Sequence, residues 1–516
     1  MANTIYITTA IAYVNAPPHI GHALEFIQAD AIARYQRLLG RKVYFQTGTD
    51  ENSLNTVRAA ERAGVPIERF VEENAERFKA LKELQGLSYD GFIRTTESRH
   101  VEGAQKLWRA CRSGDLYQKV YKGLYCVGCE NFLTDKDLVD GRCSSHQTIP
   151  EPVEEQNYFF RLSAYRDRLH DLIASDRLRI VPVTRKNELM SFIASGLEDF
   201  SVSRSCERAR RWGVPVPGDG SQIMYVWFDA LSNYITGLGY AGHDALFDFW
   251  WVKNSNILHV IGKDIIRFHA LYWPAMLLSA GLNLPREIFV HGFVTSGGTK
   301  MSKTLGNVID PETTIRKYGI DPVRYFLLRE IPATEDGDFS YERLEKRYNA
   351  ELANSLGNLL NRSVSMVERY QYGILRRALP GAEPSLQPAA TAVVRDYQSA
   401  MDAYELHSAT AIVWQLINSA NLFIQENKPW ELSKNPNRQQ ELEHVLYEVC
   451  EALRLVSVLL WPIIPGTAEK IWRQVGMSEP LEEQQLAVAA TWGLLPDGTK
   501  VQKSEIIFPR LEVSKS

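Results

Sequence analysis

Two short segments carry imidazole and ammonium groups at spacings that suit phosphate chemistry. The first, His19-Ile20-Gly21-His22, follows the apolar run TIYITTAIAYV and the pair Pro17-Pro18, where a strand would give way to a helix. Histidines three residues apart share one side of a helical turn, and the N–H groups of a helix start attract anions such as the phosphates of ATP. On its own, an HxxH segment is more often a two-histidine metal site or a pair of surface histidines.

The second segment is Lys300-Met301-Ser302-Lys303-Thr304, which follows the strand-like EIFVHGFVT and the turn Gly297-Gly298. Two lysines three residues apart on a glycine-flanked loop make a mobile cationic clamp. Alone, such a segment is usually a solvated loop. The chain has no GxxxxGK[ST] segment, so a Walker-type loop is not the source of nucleotide binding.

Three cysteines and a histidine form a third cluster, with the spacing C-x2-C-x13-C-x2-H: Cys126, Cys129, Cys143 and His146. Three thiolates and an imidazole at this spacing are typical of one structural zinc ion in a closed tetrahedral shell. The alternative is a set of free thiols beside an unrelated histidine. Six cysteines in 516 residues are too few for a disulfide framework, which favours metal over oxidation.

The elements around the first segment read as a βαβ unit. TIYITTAIAYV predicts a buried strand, and a helix follows in which Ile27, Ala31, Tyr35 and Leu38 share one face. RKVYFQTGTD predicts a second strand that ends at Asp50, before a helix from Asn52 to Ala63. Such units build parallel sheets whose ligands lie at the carboxyl ends of the strands.

Further along the chain, the sheet pattern is interrupted and then resumes. Between Leu116 and Gly220 the pattern breaks into short strands and turns, after which MYVWFDALSNYI, NILHVIGKDI and EIFVHGFVT are strand-like. After about Ser340 the periodicity is helical, most clearly in LANSLGNLLNRSVSMVERY and AIVWQLINSANLFIQ. We expect a split α/β domain (1–115 and 221–300), an inserted domain with the cysteine cluster (116–220), a linker that begins in the second segment (301–345) and a helical domain (346–516).

Taken together, the HIGH and KMSKT segments resemble the paired signatures of class I aminoacyl-tRNA synthetases. Within that class, the chain is similar to the methionyl-tRNA synthetase family in TAIAYVNAPPHIGH, YVWFDALSNY, HVIGKDIIRFHALYWPAML, FVHGFVTSGGTKMSKT and PVRYFLLRE, in that order. The resemblance covers most of the chain. It implies a Rossmann-type parallel sheet interrupted by the zinc-bearing insertion and followed by an all-α anticodon-binding bundle. The implied activity is ATP-dependent formation of methionyl-adenylate and transfer to tRNA(Met), including the initiator.

The resemblance also implies roles for individual residues. ATP, with its Mg²⁺, would be bound by His19, Gly21, His22, Lys300, Ser302 and Lys303, of which the two histidines and two lysines would be catalytic. The methionine pocket would comprise Ile11, Tyr13, Asp50 (for the ammonium group), Trp227, Ala230, Tyr234, Ile265 and His269. A thioether favours aromatic walls with one weak polar partner, which agrees with this set. Without another motif, the pattern of YVWFDALSNY is more often that of a buried strand in the core.

At the RNA end, the resemblance implies anticodon contacts from Asn358, Arg362 and Trp430. Amides, guanidinium groups and indoles read unstacked bases in single-stranded loops, although each such residue is also common on surfaces or in packing. Two departures from the family occur. Asn52-Ser53 stands where the family commonly has His-Gly, and Thr304 stands where serine is usual.

Composition limits the remaining possibilities. A net charge of −4 excludes RNA capture by bulk positive charge, so RNA binding would need local basic patches. The start has no secretory pattern, and the longest apolar run, Leu455 to Ile464, is broken by Pro462, so we expect a cytoplasmic protein without a membrane partner. The absence of an added carboxyl-terminal domain favours a monomer. Rival hypotheses are another HIGH-type nucleotidyltransferase and a non-catalytic RNA-binding paralogue.

Overall fold

The computed structural model describes residues 3–128, 131–133, 138–144, 147–301, 307–377 and 385–512, without the side chains of 131, 132 and 300. The chain divides into two compact units. The first unit comprises Met1–Pro18, Val43–Glu83 and Tyr89–His291, and the second comprises His19–Lys42, Leu84–Ser88 and Gly292–Ser516. Each unit is therefore assembled from segments that are distant in sequence.

A seven-stranded sheet forms the centre of the first unit, in the order β10-β15-β14-β1-β3-β2, with β4 also paired to β3. The pairs of β15 with β10 and β14, of β14 with β1, and of β3 with β2 and β4 are parallel. The strands of this sheet are β1 Thr4–Thr9, β2 Ala12–Tyr13, β3 Lys42–Asp50, β4 Gly91–Arg94, β10 Arg179–Val181, β14 Ile257–Gly262 and β15 Glu287–His291.

The buried runs explain why these segments form a parallel sheet. Every residue of β1 and of β14 is buried, and strands covered on both faces read as continuous apolar runs without alternation. The strands expected in TIYITTAIAYV, RKVYFQTGTD, NILHVIGKDI and EIFVHGFVT are confirmed. One strand from within the segment 116–220, β10, pairs with β15, so that segment also contributes to the parallel sheet.

The other strands of the segment 116–220, and β13 just after it, pair antiparallel. Its main sheet has the order β11-β9-β5-β6, and β5 pairs with β9 over ten residues. Two small pairs, β7 with β8 and β12 with β13, accompany it. The strands are β5 Leu116–Cys126, β6 Asn131–Leu133, β7 Leu138–Val139, β8 Arg142–Cys143, β9 Glu151–Phe160, β11 Phe200–Ser201, β12 Ser203–Ser205 and β13 Gln222–Met224.

The prediction of a strand in MYVWFDALSNYI is wrong. After the short strand β13, Val226–Leu231 and Asn233–Thr236 form the helices α7 and α8. Every residue of both helices is buried, so the segment shows no polar face whose period would have revealed a helix. The aromatic side chains predicted to line a pocket therefore project from helical turns.

The other helices of the first unit lie between its strands along the sequence. They are α2 Leu54–Ala63, α3 Ile67–Gln85, α4 Ser98–Ala110, α5 Arg166–Ala174, α6 Val183–Ala194, α9 Ala245–Phe247 and α10 Trp273–Ser279. A π-helical segment, Phe268–Tyr272, leads directly into α10. This segment carries His269.

The second unit is helical, and it includes α1 (Ile20–Leu38) from near the start of the chain. The remaining helices are α11 Pro311–Tyr318, α12 Ile320–Glu330, α13 Tyr341–Arg347, α14 Asn358–Gln371, α15 Gln387–Asp402, α16 Leu406–Asn427, α17 Pro429–Leu432, α18 Gln439–Leu460, α19 Pro465–Gln474 and α20 Leu486–Ala489. The short strands are β16 Val294–Ser296, β17 Thr299–Lys300, β18 Gly337–Phe339, β19 Ile374–Leu375 and β20 Thr499–Lys500. The expected long helices after residue 340 are confirmed. In the described part of the chain, no helix is both long and apolar enough to cross a membrane.

A buried ion pair fixes α1 within the second unit. Asp30 of α1 accepts hydrogen bonds from Arg34 at 2.8 Å and from Arg324 of α12 at 2.7 Å. Burial alone would raise the pKa of Asp30, but the charges of Arg34 and Arg324 and bonds from Ser88 outweigh it and hold that pKa well below its usual range. Arg324 also donates to the carbonyl of Ile463 at 2.9 Å. Because removing one partner of such a pair strands a buried charge, the cost is typically about 3–5 kcal/mol.

Candidate functional site

The histidines of the first signature cap the amino terminus of α1. His19 is the N-cap residue, with extended backbone angles, and its Nδ1 accepts the N–H of Gly21 at 3.1 Å. In return, the backbone N–H of His19 donates to Nδ1 of His22 at 3.2 Å. This reciprocal arrangement is a capping box built from two imidazoles, and it satisfies N–H groups that a helix start leaves without intrahelical partners.

The caps determine which nitrogen of each ring carries a proton. Because Nδ1 accepts a hydrogen bond in both rings, the neutral form of each has its N–H at Nε2. The rings stack with centroids 3.9 Å apart. Burial, and then the neighbouring charge of His19, lower the pKa of His22 well below its ordinary value. At neutral pH, His22 is therefore an uncharged N–H donor.

Gly21 provides the space that the His19 ring occupies. A Cβ at position 21 would lie 2.8 Å from Cε1 and 2.9 Å from Nδ1 of His19, closer than real contacts allow. The methyl group of Met301, in the second signature, lies 3.8 Å from the same position. The two signatures thus meet within the second unit. The side chain of Lys300 and the residues Ser302 and Lys303 lie outside the described part of the chain.

Aromatic side chains predicted to line the amino-acid pocket contact other rings in the first unit. Trp227 stacks on Phe268, with ring centroids 3.7 Å apart and planes 6° from parallel. Tyr13 meets the edge of Trp227 at a centroid distance of 6.4 Å. Among the described residues, the buried indole N–H of Trp227 has no hydrogen-bond acceptor. A buried donor of this kind calls for a ligand or water as its partner.

His269, another predicted pocket residue, makes two hydrogen bonds that fix its tautomer. The Nδ1–H of His269 donates to the carbonyl of Ile265 at 2.9 Å, so Nε2 accepts the hydroxyl of Tyr234 at 2.6 Å. Burial lowers the pKa of His269 to about 4, against a smaller opposing effect of the Ile265 carbonyl. Tyr234 also stacks on His259 with centroids 4.1 Å apart. The ring of His269 is therefore neutral at neutral pH.

Asp50 ends β3 beside the aromatic wall. Tyr13 of β2 and Asp50 of β3 are register partners, and the carbonyl of Asp50 accepts the N–H of Val14 at 3.3 Å. The side chain of Asp50 is buried, and it accepts the N–H of Asn52 at 3.3 Å. A buried carboxylate beside an aromatic, uncharged wall can bind an ammonium group while the wall holds an apolar side chain.

Six of the predicted pocket residues fall into two contact groups within the first unit. Asp50, Tyr13 and Trp227 form one group. Tyr234 of α8, His269 of the π-helical segment and Ile265 form the other. Ala230 lies on α7 with Trp227, and Ile11 precedes β2, but neither makes a described polar or ring contact with the others. The arrangement suits a short apolar amino acid with a charged ammonium group.

Two of the four predicted zinc ligands lie in the described part of the chain. Cys126 at the end of β5 and Cys143 in β8 are both buried and share a small apolar cluster with Leu133. Cys129 and His146 lie outside the described residues. Within the described residues, no group of three or more potential ligand side chains occurs. The two thiols share one buried cluster, which fits the expected zinc knuckle.

The predicted RNA contacts lie in the helical part of the second unit. Asn358 begins α14 and is exposed, and Arg362 follows one turn later. The guanidinium group of Arg362 donates to Asn421 Oδ1 of α16 at 3.1 Å. Trp430, in α17, is 37% exposed. Partly exposed amide, guanidinium and indole groups are available for stacking and base-edge contacts.

Several residues around the pocket were missed from the sequence. Phe268 stacks on Trp227, and His259 lies under Tyr234, with Thr8 and Trp273 bonded to its two ring nitrogens at 2.7 and 3.3 Å. Both lie in HVIGKDIIRFHALYWPAML, but no spacing rule singles them out. Their partners lie between 14 residues away, for Trp273 and His259, and 251 residues away, for Thr8 and His259, so only the fold reveals them.

Two family models match the chain. The model "tRNA synthetases class I (M)" matches residues 5–147 and 135–364, and the model "Anticodon binding domain of methionyl tRNA ligase" matches residues 378–515. The first covers the sheet, the insertion and both signatures. The second covers most of the carboxyl-terminal helices.

Whole-chain relatives agree with these models. The methionine–tRNA ligase of Caldanaerobacter subterraneus subsp. tengcongensis is 42% identical over 519 residues, which are 100% of this chain and 80% of that protein. The corresponding ligase of Mycobacterium leprae is 42% identical over 99% of this chain and 95% of its own length. The structure of Mycobacterium tuberculosis methionyl-tRNA synthetase in complex with methionyl-adenylate superposes with a TM-score of 0.93 and 41% identity, over 98% of this chain and 100% of that one.

Proposed function

The chain belongs to the methionyl-tRNA synthetase family of class I, and we propose that it performs this family's reaction with the residues described above. It activates methionine with ATP to methionyl-adenylate and transfers the methionyl group to tRNA. The observation that carries the assignment of roles is the pocket of Asp50, Tyr13, Trp227, Tyr234 and His269, because it combines a carboxylate with uncharged aromatic walls.

In this pocket, Asp50 would pair with the ammonium group of methionine, and the thioether would lie against Tyr13, Trp227 and Tyr234. Sulfur is polarizable and makes favourable contacts with aromatic rings. His269, held neutral by burial, adds polarity without charge, which suits an uncharged side chain. Ile11, Ala230 and Ile265 would complete the apolar surface.

In the activation step, the methionine carboxylate attacks the α-phosphorus of ATP and pyrophosphate leaves. The substrate supplies its own nucleophile, so the protein needs only to orient the groups and stabilise developing negative charge. The Nε2–H groups of His19 and His22 would donate to phosphate oxygens, and Lys300 and Lys303 would neutralise the departing pyrophosphate. Mg²⁺ would accompany ATP and offset phosphate charge. Gly21 and Ser302 would complete the nucleotide contacts.

The remaining roles concern RNA and assembly. Asn358, Arg362 and Trp430 would contact the anticodon of tRNA(Met), including the initiator. Cys126, Cys129, Cys143 and His146 would bind one structural zinc ion with no part in the chemistry. Both thiols that are described lie in one buried cluster, which supports this proposal. We further propose a cytoplasmic monomer.

The deciding experiment is methionine-dependent ATP–pyrophosphate exchange, followed by charging of tRNA(Met). We expect exchange with methionine and none with leucine, valine or cysteine, because aromatic side chains and a neutral histidine suit a polarizable thioether. Exchange that responds to another amino acid, or not at all to methionine, would overturn the proposal. Zinc content is measured on the same protein purified without chelators, and a value near zero would contradict the proposed knuckle.

The anticodon contacts are tested with Trp430→Ala. We expect charging of tRNA(Met) to fall at least about tenfold, because a stacked base is worth about 1–3 kcal/mol, while exchange without tRNA stays unchanged. Trp492→Ala, also in the helical unit, serves as the control. An equal loss of charging and exchange in Trp430→Ala would show that the indole is structural.

A further inference from the structure

Asn52 connects two sides of the amino-acid pocket. It lies two residues beyond Asp50, and its backbone N–H donates to Asp50 Oδ1 at 3.3 Å. Its side-chain amide donates to Asp229 Oδ2 at 2.7 Å and to the carbonyl of Thr95 at 3.2 Å. Asp229 lies in α7 between Trp227 and Ala230. One residue thus joins the strand end that carries the ammonium-binding carboxylate to the helix that carries the aromatic wall.

The carboxylate at the centre of this contact is completely buried and has a second donor. His100 of α4 donates through Nε2–H to Asp229 Oδ1 at 2.6 Å, and His100 Nδ1 lies 2.8 Å from the hydroxyl of Thr236. Asp229, His100 and Thr236 each have an exposure of 0%. A buried carboxylate needs a donor for each oxygen, so loss of the Asn52 amide leaves Oδ2 short of its partner.

The neighbouring Ser53 caps a helix. Its Oγ accepts the N–H of Thr56 at 3.0 Å, which caps the amino terminus of α2. The helix expected from residue 52 therefore begins at Leu54. Because Ser53 anchors the turn, the backbone of Asn52 is fixed and its side chain is directed to Asp229 rather than to its own helix.

We propose that Asn52 is a positioning residue for methionine. By holding Asp229, it sets the distance between α7, with Trp227 and Ala230, and the carboxylate of Asp50. Asn52 does not touch the reacting atoms, and its effect is on binding of the amino acid. This inference rests on the proposed methionine site.

The test compares Asn52→Ala, N52D and N52H by steady-state ATP–pyrophosphate exchange. Asn52→Ala should raise the KM for methionine about tenfold, because the buried Asp229 carboxylate loses one of its donors, with the KM for ATP within about twofold of wild type. N52D should raise the KM for methionine further, about a hundredfold, because the carboxylates of residues 52 and 229 would face each other. N52H should stay within about threefold, since Nδ1–H of histidine reaches the position of the amide nitrogen.

Asn254→Ala is the matched control. Asn254 is an amide of the first unit that is buried, whereas Asn52 is half-buried, and it donates to the carbonyls of Trp250 and Asn256 at 3.3 and 3.1 Å. We expect this variant to lower the Tm without changing the KM for methionine. An unchanged methionine KM in Asn52→Ala would overturn the proposal, as would a rise that is equal for ATP and methionine.

A double variant, N52D with D229N, tests the contact itself. It exchanges donor and acceptor, so the methionine KM should return to within about threefold of wild type, whereas no recovery would contradict the coupling. If N52D does not fold, the comparison of Asn52→Ala with N52H decides the matter. Failure of the proposed function is distinguishable, because wild-type exchange would then not respond to methionine.

Discussion

Each unit contains a pair of neighbouring histidines, and the two pairs carry their protons on different nitrogens. In the second unit, Nδ1 of His19 and of His22 accepts a backbone N–H, which leaves the ring proton on Nε2. In the first unit, Nε2 of His269 accepts the hydroxyl of Tyr234, and Nε2 of His259 accepts the indole N–H of Trp273. Their protons are therefore on Nδ1.

The local backbone explains this difference. A helix start has N–H groups without intrahelical acceptors, so histidines placed there become acceptors at Nδ1 and donors at Nε2. His269 lies within a helical turn, where the carbonyl of Ile265 takes the Nδ1–H instead. The first pair is thereby suited to phosphate oxygens, and the second completes a buried network beside an apolar pocket. The backbone group next to a histidine therefore determines whether its Nε2 donates or accepts a hydrogen bond.

The largest expected effect separates capping from catalysis in the first pair. Asparagine is a good N-cap but lacks the Nε2–H donor, so His19→Asn should keep α1 stable. The exchange rate should nevertheless fall about 100- to 1000-fold, as for loss of an oxyanion donor. Tm and kcat for ATP–pyrophosphate exchange are measured together. A normal kcat would mean that His19 serves only as a cap.

A smaller effect is expected from the pH dependence of the second pair. Unfolded histidine titrates near 6.5 and His269 near 4, so the unfolded chain binds more protons between these values and stability falls as the pH falls. From pH 7.5 to 5, His269 should remove about 2 kcal/mol of the free energy of unfolding. His269→Asn should lack this loss, whereas the exposed control His170→Asn should retain it. The free energy of unfolding is measured in urea at pH 7.5 and 5 for wild type and both variants. An equal loss of stability in all three proteins would refute the lowered pKa of His269.

The smallest effect concerns the space beside His19. Gly21→Ala places a methyl group 2.8 Å from the ring, so the ring must shift, and we expect kcat to fall about tenfold. Alanine favours a helix over glycine by up to about 1 kcal/mol, so the Tm should hold or rise. A lower kcat with a higher Tm would show that catalysis and helix stability depend on different features of this helix start. An unaltered kcat would show that the ring position is not critical.

The chemistry of the site was easier to predict from the sequence than the secondary structure of the segments that carry it. HIGH, KMSKT and the strands of the parallel sheet were found because each has a short-range pattern. The helices α7 and α8 were predicted as strand because complete burial hides their period. Asp229, His100 and His259 were missed because each bonds a residue 129 or 251 positions away, and no local pattern records such contacts.

The ion pair between Asp30 and Arg324 has a consequence for dividing the protein. Helix α1 lies at the start of the chain, yet the cation that completes its buried charge comes from α12. A fragment that ends at His291 would retain the carboxylate and lose that guanidinium group, together with the helical surface around it. Cutting the polypeptide at one point therefore does not yield an autonomous amino-terminal module. Segments that are close together in the sequence therefore belong to different structural units, and a single truncation cannot separate the units.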